Sequence, residues 1–230
     1  MEAIVLAGGM GTRLRAVVAD MPKPMAPIGD KPFLEYLIKY LVKHGVHRII
    51  LSTGYQHEVI SNYFGDRFGD TEICYSVEKE PLGTGGGIKK ALGKVLDDKV
   101  LIANGDTFFD VDLKSLFDSH VFAGADLTIS LKRMKNFDRY GTVLTDGQRV
   151  TGFIEKKYQD TGNINGGVYL ANRTLFEGLS LPEKFSFETD FMGRHVKEMH
   201  FNALVCDSYF IDIGIPQDYY IAQRELAKFV

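Results

Sequence analysis

The chain has 230 residues, enough for one sizeable α/β core or two small ones. Its 45% hydrophobic and 25% charged residues are those of a soluble globular protein, and a net charge of −3 argues against wholesale nucleic-acid binding, which leaves a basic footprint. No apolar run reaches membrane-spanning length, since the stretch from Leu34 to Val42 is interrupted by Glu35, Tyr36, Lys39 and Tyr40, so neither nucleic acid nor membrane is expected as a partner.

The N-terminus has no basic segment ahead of an apolar stretch. Ala3-Ile4-Val5-Leu6 is short, apolar and β-branched, as a buried strand is. It opens into Ala7-Gly8-Gly9-Met10-Gly11-Thr12-Arg13-Leu14. The glycines allow close backbone approach to a ligand, and Thr12 and Arg13 add a hydroxyl and a permanently charged fork suited to phosphate oxygens. This predicts a phosphate cradle. It is not the dinucleotide fingerprint G-x-G-x-x-G, because Leu14 stands at the last position, nor a P-loop, because Arg13 rather than Lys follows Gly11-Thr12.

Lys23 lies between Pro22 and Pro24, which predict an extended backbone outside any helix and a point cation near the cradle. Asp30-Lys31-Pro32 starts a helix whose apolar face is Phe33, Leu34, Leu37, Ile38, Leu41 and Val42, ended by Gly45. Strands are predicted over 48–53, 72–77 and 100–103, with helices over 58–64 and 88–95 between and after them. Gly54-Tyr55, the run from Glu78 to Gly87, and Asn104-Gly105-Asp106 each follow a strand. Repeated strand–helix units imply a parallel sheet with right-handed crossovers, whose carboxyl ends carry the ligand crevice. Four distant loops would then converge on one site.

In the second half strands outnumber helices: 127–131, 141–145, 150–155, 166–170, 203–206 and 209–211, with helices over 173–179, 189–199 and 216–229. No linker composition separates the halves, and one domain over 1–230 is expected. Cys74 and Cys206 sit in apolar strand-like contexts, which predicts buried free thiols in a reducing compartment and a cytoplasmic location. Asp106 and Asp212 each end a predicted strand in a Gly-containing turn, and two carboxylates with phosphate oxygens and water suit octahedral Mg²⁺. His44, His47, His195 and His200 lie at helix ends without metal-ligand spacing and read as structural.

Leu6 to Leu14 is similar to the L-A-[AG]-G-x-G-T-R-L signature of the sugar-nucleotide pyrophosphorylases, also called nucleotidyltransferases, and Pro22-Lys23-Pro24-Met25 follows at the separation that family shows. Asp212-Ile213-Gly214-Ile215-Pro216-Gln217-Asp218-Tyr219 resembles its D-x-G-x-P-x-[DE]-[YL] motif, with Ile215 where many members have Thr. The resemblance implies an α/β fold, a Rossmann-like three-layer sandwich with a mixed, mostly parallel central sheet. Its nucleotide-binding half would span about 1–110 and its sugar-binding half about 111–230. It implies an enzyme that moves a nucleotidyl group from a nucleoside triphosphate to a sugar 1-phosphate and releases pyrophosphate.

Carried over residue by residue, the resemblance makes Arg13, Lys23 and Asp106 catalytic, with Asp106 and Asp212 binding Mg²⁺. Arg13 would stabilise the leaving phosphates, and Lys23 would contact the sugar 1-phosphate or the α-phosphate. Nucleotide contacts are implied at Leu6, Gly8, Gly9, Gly11, Thr12, Pro81, Gly83 and Thr84. Glu78-x-Glu80-Pro81-Leu82-Gly83-Thr84-Gly85 is similar to the base-reading loop of guanylyltransferases. There Glu78 or Glu80 could accept from guanine N1–H and its 2-amino group, which favours GTP. Around the sugar the family elements match Tyr140-Gly141, Phe153-Ile154-Glu155-Lys156 and Asn165-Gly166-Gly167-Val168-Tyr169. Glu155 and Asn165 would bond hydroxyls and Lys156 the phosphate.

The opening Gly11-Thr12-Arg13-Leu14-Arg15-Ala16-Val17 departs from the commoner R-L-x-P-L-T and is similar to the heptose-specific branch. That favours a heptose 1-phosphate over mannose 1-phosphate, or over a hexose 1-phosphate paired with UTP or dTTP. A catalytically silent nucleotide-sugar-binding subunit is the reading from another class. A homo-oligomer is compatible with either. With the chain ending at Val230, the left-handed β-helix acyltransferase domain of bifunctional relatives is not expected.

Overall fold

The computed structural model describes residues 1–9, 14, 17–18 and 21–229. The expected strand–helix alternation opens the chain: β1 (Glu2–Leu6), β2 (Pro27–Ile28), β3 (Lys31–Pro32), α1 (Phe33–Lys43), β4 (Arg48–Thr53) and α2 (His57–Phe64). It continues through β5 (Arg67–Phe68), β6 (Thr71–Val77), α3 (Gly83–Leu92), β7 (Lys99–Asn104), β8 (Thr107–Phe109) and α4 (Leu113–Ala123). The second half holds β9 (Leu127–Phe137), β10 (Thr142–Asp146), β11 (Arg149–Ile154) and β12 (Gln159–Asn172). A π-helical turn (Phe187–Met192), α5 (Gly193–His195), β13 (Phe201–Cys206), β14 (Phe210–Asp212) and α6 (Pro216–Glu225) complete it.

Among the described residues, ten strands form one sheet in the order β10-β11-β13-β9-β12-β7-β1-β4-β6-β5. Pairing is parallel across β7, β1, β4 and β6. Beyond β7 it is antiparallel except where β13 runs beside β9. Alternate residues of the central strands face opposite layers. Ala3, Val5, Ile49, Leu51, Leu101 and Ala103 join a cluster with Phe33, Leu37 and Leu116, so α1 and α4 cover that face. Ile4, Ile50, Val100 and Ile102 join Ile88, Phe187, Phe191 and Phe201, so α3 and the π-helical turn cover the other. The result is three layers with the core on both sides of the sheet. Among the described residues, no helix is long and apolar enough to cross a membrane.

Five local expectations are corrected. The glycine run is not a loop up to Gly87: α3 begins at Gly83. Its glycines let the backbone of 183–185 lie directly on the helix. A Cβ on Gly83 would stand 2.6 Å from the Phe185 carbonyl oxygen, and Gly85 N–H donates to that same oxygen at 3.0 Å. This docking offsets the poor helix propensity of glycine.

The expected helix over 173–179 is a series of turns. Leu175 donates to the Asn172 carbonyl and Glu177 to that of Thr174, and Gly178 at φ 75° ends the run. The expected helix over 189–199 winds wider at its start, with Phe191 N–H reaching the Ser186 carbonyl five residues back. β9 and β12 outrun their apolar segments as a paired arm from Gln159 opposite Phe137 to Asn165 opposite Leu131. The thiols of Cys74 and Cys206 are free as expected but only half-buried.

Candidate active site

The carboxyl ends of β1, β4, β6 and β7 do converge, and the way they do so is set by backbone crowding. Ala7 N–H donates to the Ser52 carbonyl at 2.7 Å and Gly105 N–H to the Leu6 carbonyl at 2.9 Å. A Cβ on Gly105 would come within 2.5 Å of that Leu6 oxygen, so the turn after β7 can pass only as glycine. Gly8 is less tightly confined, with Glu78 Oε1 3.3 Å and Gly54 N 3.4 Å from where its Cβ would be.

These strand ends border a cavity of about 560 Å³ lined by Leu6, Gly8, Gly9, Lys23, Glu78, Pro81, Gly83, Thr84 and Asp106. The volume is in the range of small-molecule sites. Tyr55, Lys79 and Asn104 also line it; the sequence placed their loops at the strand ends but assigned none of the three a role of its own. Their signal was their place beside strand ends, since Tyr55 follows β4, Lys79 follows β6 and Asn104 closes β7.

Lys23 is brought to the cavity on a single 3₁₀ turn, Lys23–Met25, which corrects the expectation of an extended backbone. The turn's two hydrogen bonds are donated by Met25 and Ala26 to Pro22 and Lys23 carbonyls, so neither proline is asked for an N–H. Downstream, α6 fastens this region: Tyr219 Oη donates to the Pro27 carbonyl at 2.6 Å and Gly29 N–H to Gln223 Oε1 at 2.9 Å.

Asp106 and Asp212 are aligned by a two-stranded ribbon that the sequence did not predict. β8 and β14 pair antiparallel with Thr107 opposite Asp212, and Ile213 N–H donates to the Asp106 carbonyl at 3.1 Å. Lys23 Nζ lies 2.5 Å from Asp106 Oδ2 and 3.3 Å from Asp212 Oδ1. One ammonium thus bridges two carboxylates contributed by distant parts of the chain. These two aspartates are the side chains that could hold a divalent cation; among the described residues, no group of three or more His, Cys, Asp or Glu gathers.

The Glu78 carboxylate is held rather than free. Oε2 accepts from Leu82 N–H at 2.9 Å and Oε1 from Ser52 Oγ at 3.1 Å. Thr84 lines the cavity, but its hydroxyl donates to Glu188 Oε2 and accepts from Phe187 N–H, which ties α3 to the π-helical turn. Glu80 faces away, into a second groove with Lys89, Lys90 and Lys184.

The remaining sequence-predicted residues lie on the second half. Asn165 is fixed in a bulge of β12, its Nδ2 donating to Tyr169 Oη at 2.8 Å and its Oδ1 accepting from Gly167 N–H at 3.0 Å. Each end of the amide keeps one further hydrogen-bonding position. Gly141 crosses so near the Ile154 carbonyl that a Cβ would stand 2.8 Å from its oxygen. Glu155 and Lys156 follow β11 and are exposed. Gly11, Thr12 and Arg13 lie outside the described residues.

Tyr140 stands close to the aspartate pair. Its ring meets Phe210 edge-on at 6.0 Å, two residues before Asp212, and the Arg139 guanidinium lies 5.3 Å from its centroid. Burial, then the Asp212 carboxylate, push its phenol up to about 12, so it remains a hydrogen-bond donor at neutral pH.

Comparison with known proteins adds the decisive observation: the nucleotidyl transferase family model matches residues 2–228. The chain belongs to that family. It is 56% identical over 230 residues, spanning 100% of both chains, to a D-glycero-α-D-manno-heptose 1-phosphate guanylyltransferase of Aneurinibacillus thermoaerophilus. It is 49% identical to the enzyme of the same name from Campylobacter jejuni, over 96% of this chain and 97% of that one. The crystal structure of HddC from Yersinia pseudotuberculosis complexed with GMP-PN superposes with a TM-score of 0.86 at 40% identity, covering 97% of this nucleotidyl transferase and 98% of that chain.

Proposed function

We propose that this nucleotidyl transferase joins GTP and D-glycero-α-D-manno-heptose 1-phosphate, giving the GDP-sugar and pyrophosphate. The observation that carries the reading is the Lys23–Asp106–Asp212 cluster beside a nucleotide-sized cavity, in a chain alike over its full length to guanylyltransferases acting on that sugar phosphate. Gly8, Gly9 and Gly83 offer backbone to the base and ribose, and the held Glu78 carboxylate offers acceptors to guanine N1–H and its amino group. Arg13 and the Gly11-Thr12 amides take the outer phosphates.

The sugar phosphate attacks the α-phosphorus in line with departing pyrophosphate. It is already ionised at neutral pH, so the protein needs no general base. Its task is alignment and charge neutralisation. Lys23 and Arg13 would supply positive charge at the reacting phosphates. On the sugar side, Asn165 is oriented by its bulge, and Glu155 and Lys156, exposed after β11, would meet hydroxyls and phosphate.

Asp106 and Asp212 fit Mg²⁺ as its protein ligands: their oxygens flank one point at which a cation, the Lys23 ammonium, already rests. When bound, the metal would polarise phosphate oxygens and offset charge on the leaving group. Asp106→Asn or Asp212→Asn is expected to lower pyrophosphate release by roughly 10²-fold or more with GTP binding retained. Unchanged turnover in both variants would contradict the reading.

A further inference from the structure

We infer that the Lys23 ammonium is the resident cation of the Asp106–Asp212 pair and surrenders that place when a divalent cation enters with the nucleotide. This rests on the proposal that the two aspartates hold such a cation. Lys23 Nζ sits between the carboxylates at 2.5 and 3.3 Å, and its side chain is only 12% exposed. The two carboxylates meet on one ammonium, and that single positive charge between them offsets their mutual repulsion. The pocket is shaped for it: Gly214 lies against both groups, its absent Cβ 3.3 Å from Lys23 Nζ and 3.0 Å from Asp212 Oδ1. A Cβ there would require the lysine or the carboxylate to give by a few tenths of an ångström.

An ammonium and a divalent cation sharing Asp106 Oδ2 and Asp212 Oδ1 would repel each other across a few ångströms, so occupancy by one disfavours the other. The two are alternative occupants. In the ligand-free protein Lys23 therefore lowers apparent metal affinity by holding the competent state to a small fraction. A triphosphate reverses this, because its oxygens both complete the metal's ligand set and give the displaced ammonium a new acceptor. Lys23 has the means to move alone. Its backbone is pinned by the 3₁₀ turn and by α6 docking on Pro27 and Gly29, while four methylenes carry the charge. Metal and nucleotide binding are then coupled through one side chain, and Lys23 reaches the phosphates only once the metal is in place.

The test is Mn²⁺ binding measured by electron paramagnetic resonance without nucleotide, in wild type, Lys23→Gln, Lys23→Met and Lys79→Gln. Lys79 lines the same cavity and controls for general loss of positive charge. Both Lys23 variants are expected to bind Mn²⁺ about tenfold or more tightly than wild type. Lys79→Gln should change affinity by much less, and adding Asp106→Asn to Lys23→Gln should abolish the gain. A measurement on the unaltered protein stands beside these: the Lys23 Cε resonance should shift when Mg²⁺ is added with a non-hydrolysable GTP analogue. Equal Mn²⁺ affinity in wild type and Lys23 variants, or an equal gain in Lys79→Gln, would overturn the inference and leave the two-aspartate metal site standing. No Mn²⁺ binding in any form, even with the analogue present, would overturn both.

Discussion

Arg139 Nη1 donates to Asp218 Oδ2 at 2.6 Å, joining the bend between β9 and β10 to the first turn of α6. The pair is linked to the aspartate cluster through two aromatic rings, because the Arg139 guanidinium covers Tyr140, which rests on Phe210 of β14, two residues before Asp212. It is partly exposed, so its net worth to stability is about 1 kcal/mol or less. Its worth to alignment is greater, since it braces the wall beside Asp212. Arg139→Gln and Asp218→Asn are each expected to lower kcat/KM for the sugar 1-phosphate by about tenfold. The melting temperature should fall by less than about 3 °C. In steady-state kinetics the double variant should be no worse than the poorer single one, as expected for a coupled pair.

Gly85 tests the docking of α3. A Cβ there would overlap the Phe185 ring, and the Gly85 N–H is already engaged with the Phe185 carbonyl. Gly85→Ala is expected to cost about 1–3 kcal/mol by overpacking, despite alanine's better helix propensity. Thermal unfolding should show a loss of several degrees. Gly93→Ala, where the nearest atom lies at 3.4 Å, serves as the tolerant control.

His120 makes stability pH-dependent away from the site. It is buried, with Nδ1 2.9 Å from Thr128 Oγ1 and Nε2 3.1 Å from Asn172 Oδ1. Burial pulls its pKa below the usual 6.5, with Lys99 and His200 acting the same way and Asn172 and Asp126 opposing. Above 6.5 the ring is neutral in both states and stability is unaffected. As pH falls through that value the unfolded chain takes the proton first, so stability is lost until the lower native value is passed. Urea unfolding between about pH 7.5 and 5 should show this slope in wild type, and His120→Gln should flatten it.

The parts of the fold legible in the sequence were those written in local pattern. β4 was bounded to the residue because its six residues are flanked by Gly45 and Gly54 turns, and α1 followed from its apolar face. Of the ribbon, the strand over 209–211 was legible and corresponds to β14, but the three-residue β8 and the pairing of the two were not. That ribbon is what sets Asp212 beside Asp106, so the residue types were readable while their juxtaposition was not. Thr84 lines the cavity where the resemblance implies a nucleotide contact, and its hydroxyl is also bonded to a segment about a hundred residues away. Such long-range partners leave no mark on local spacing.

The central claim is best tested by measuring pyrophosphate release with GTP, ATP, UTP and dTTP, each crossed with D-glycero-α-D-manno-heptose 1-phosphate, mannose 1-phosphate and glucose 1-phosphate. The highest kcat/KM is expected for GTP with the heptose 1-phosphate, with loss of a base-specific hydrogen-bond pattern costing at least about 10²-fold for the pyrimidine triphosphates. Equal or faster turnover with UTP or dTTP, or no turnover with any pair, would contradict that claim.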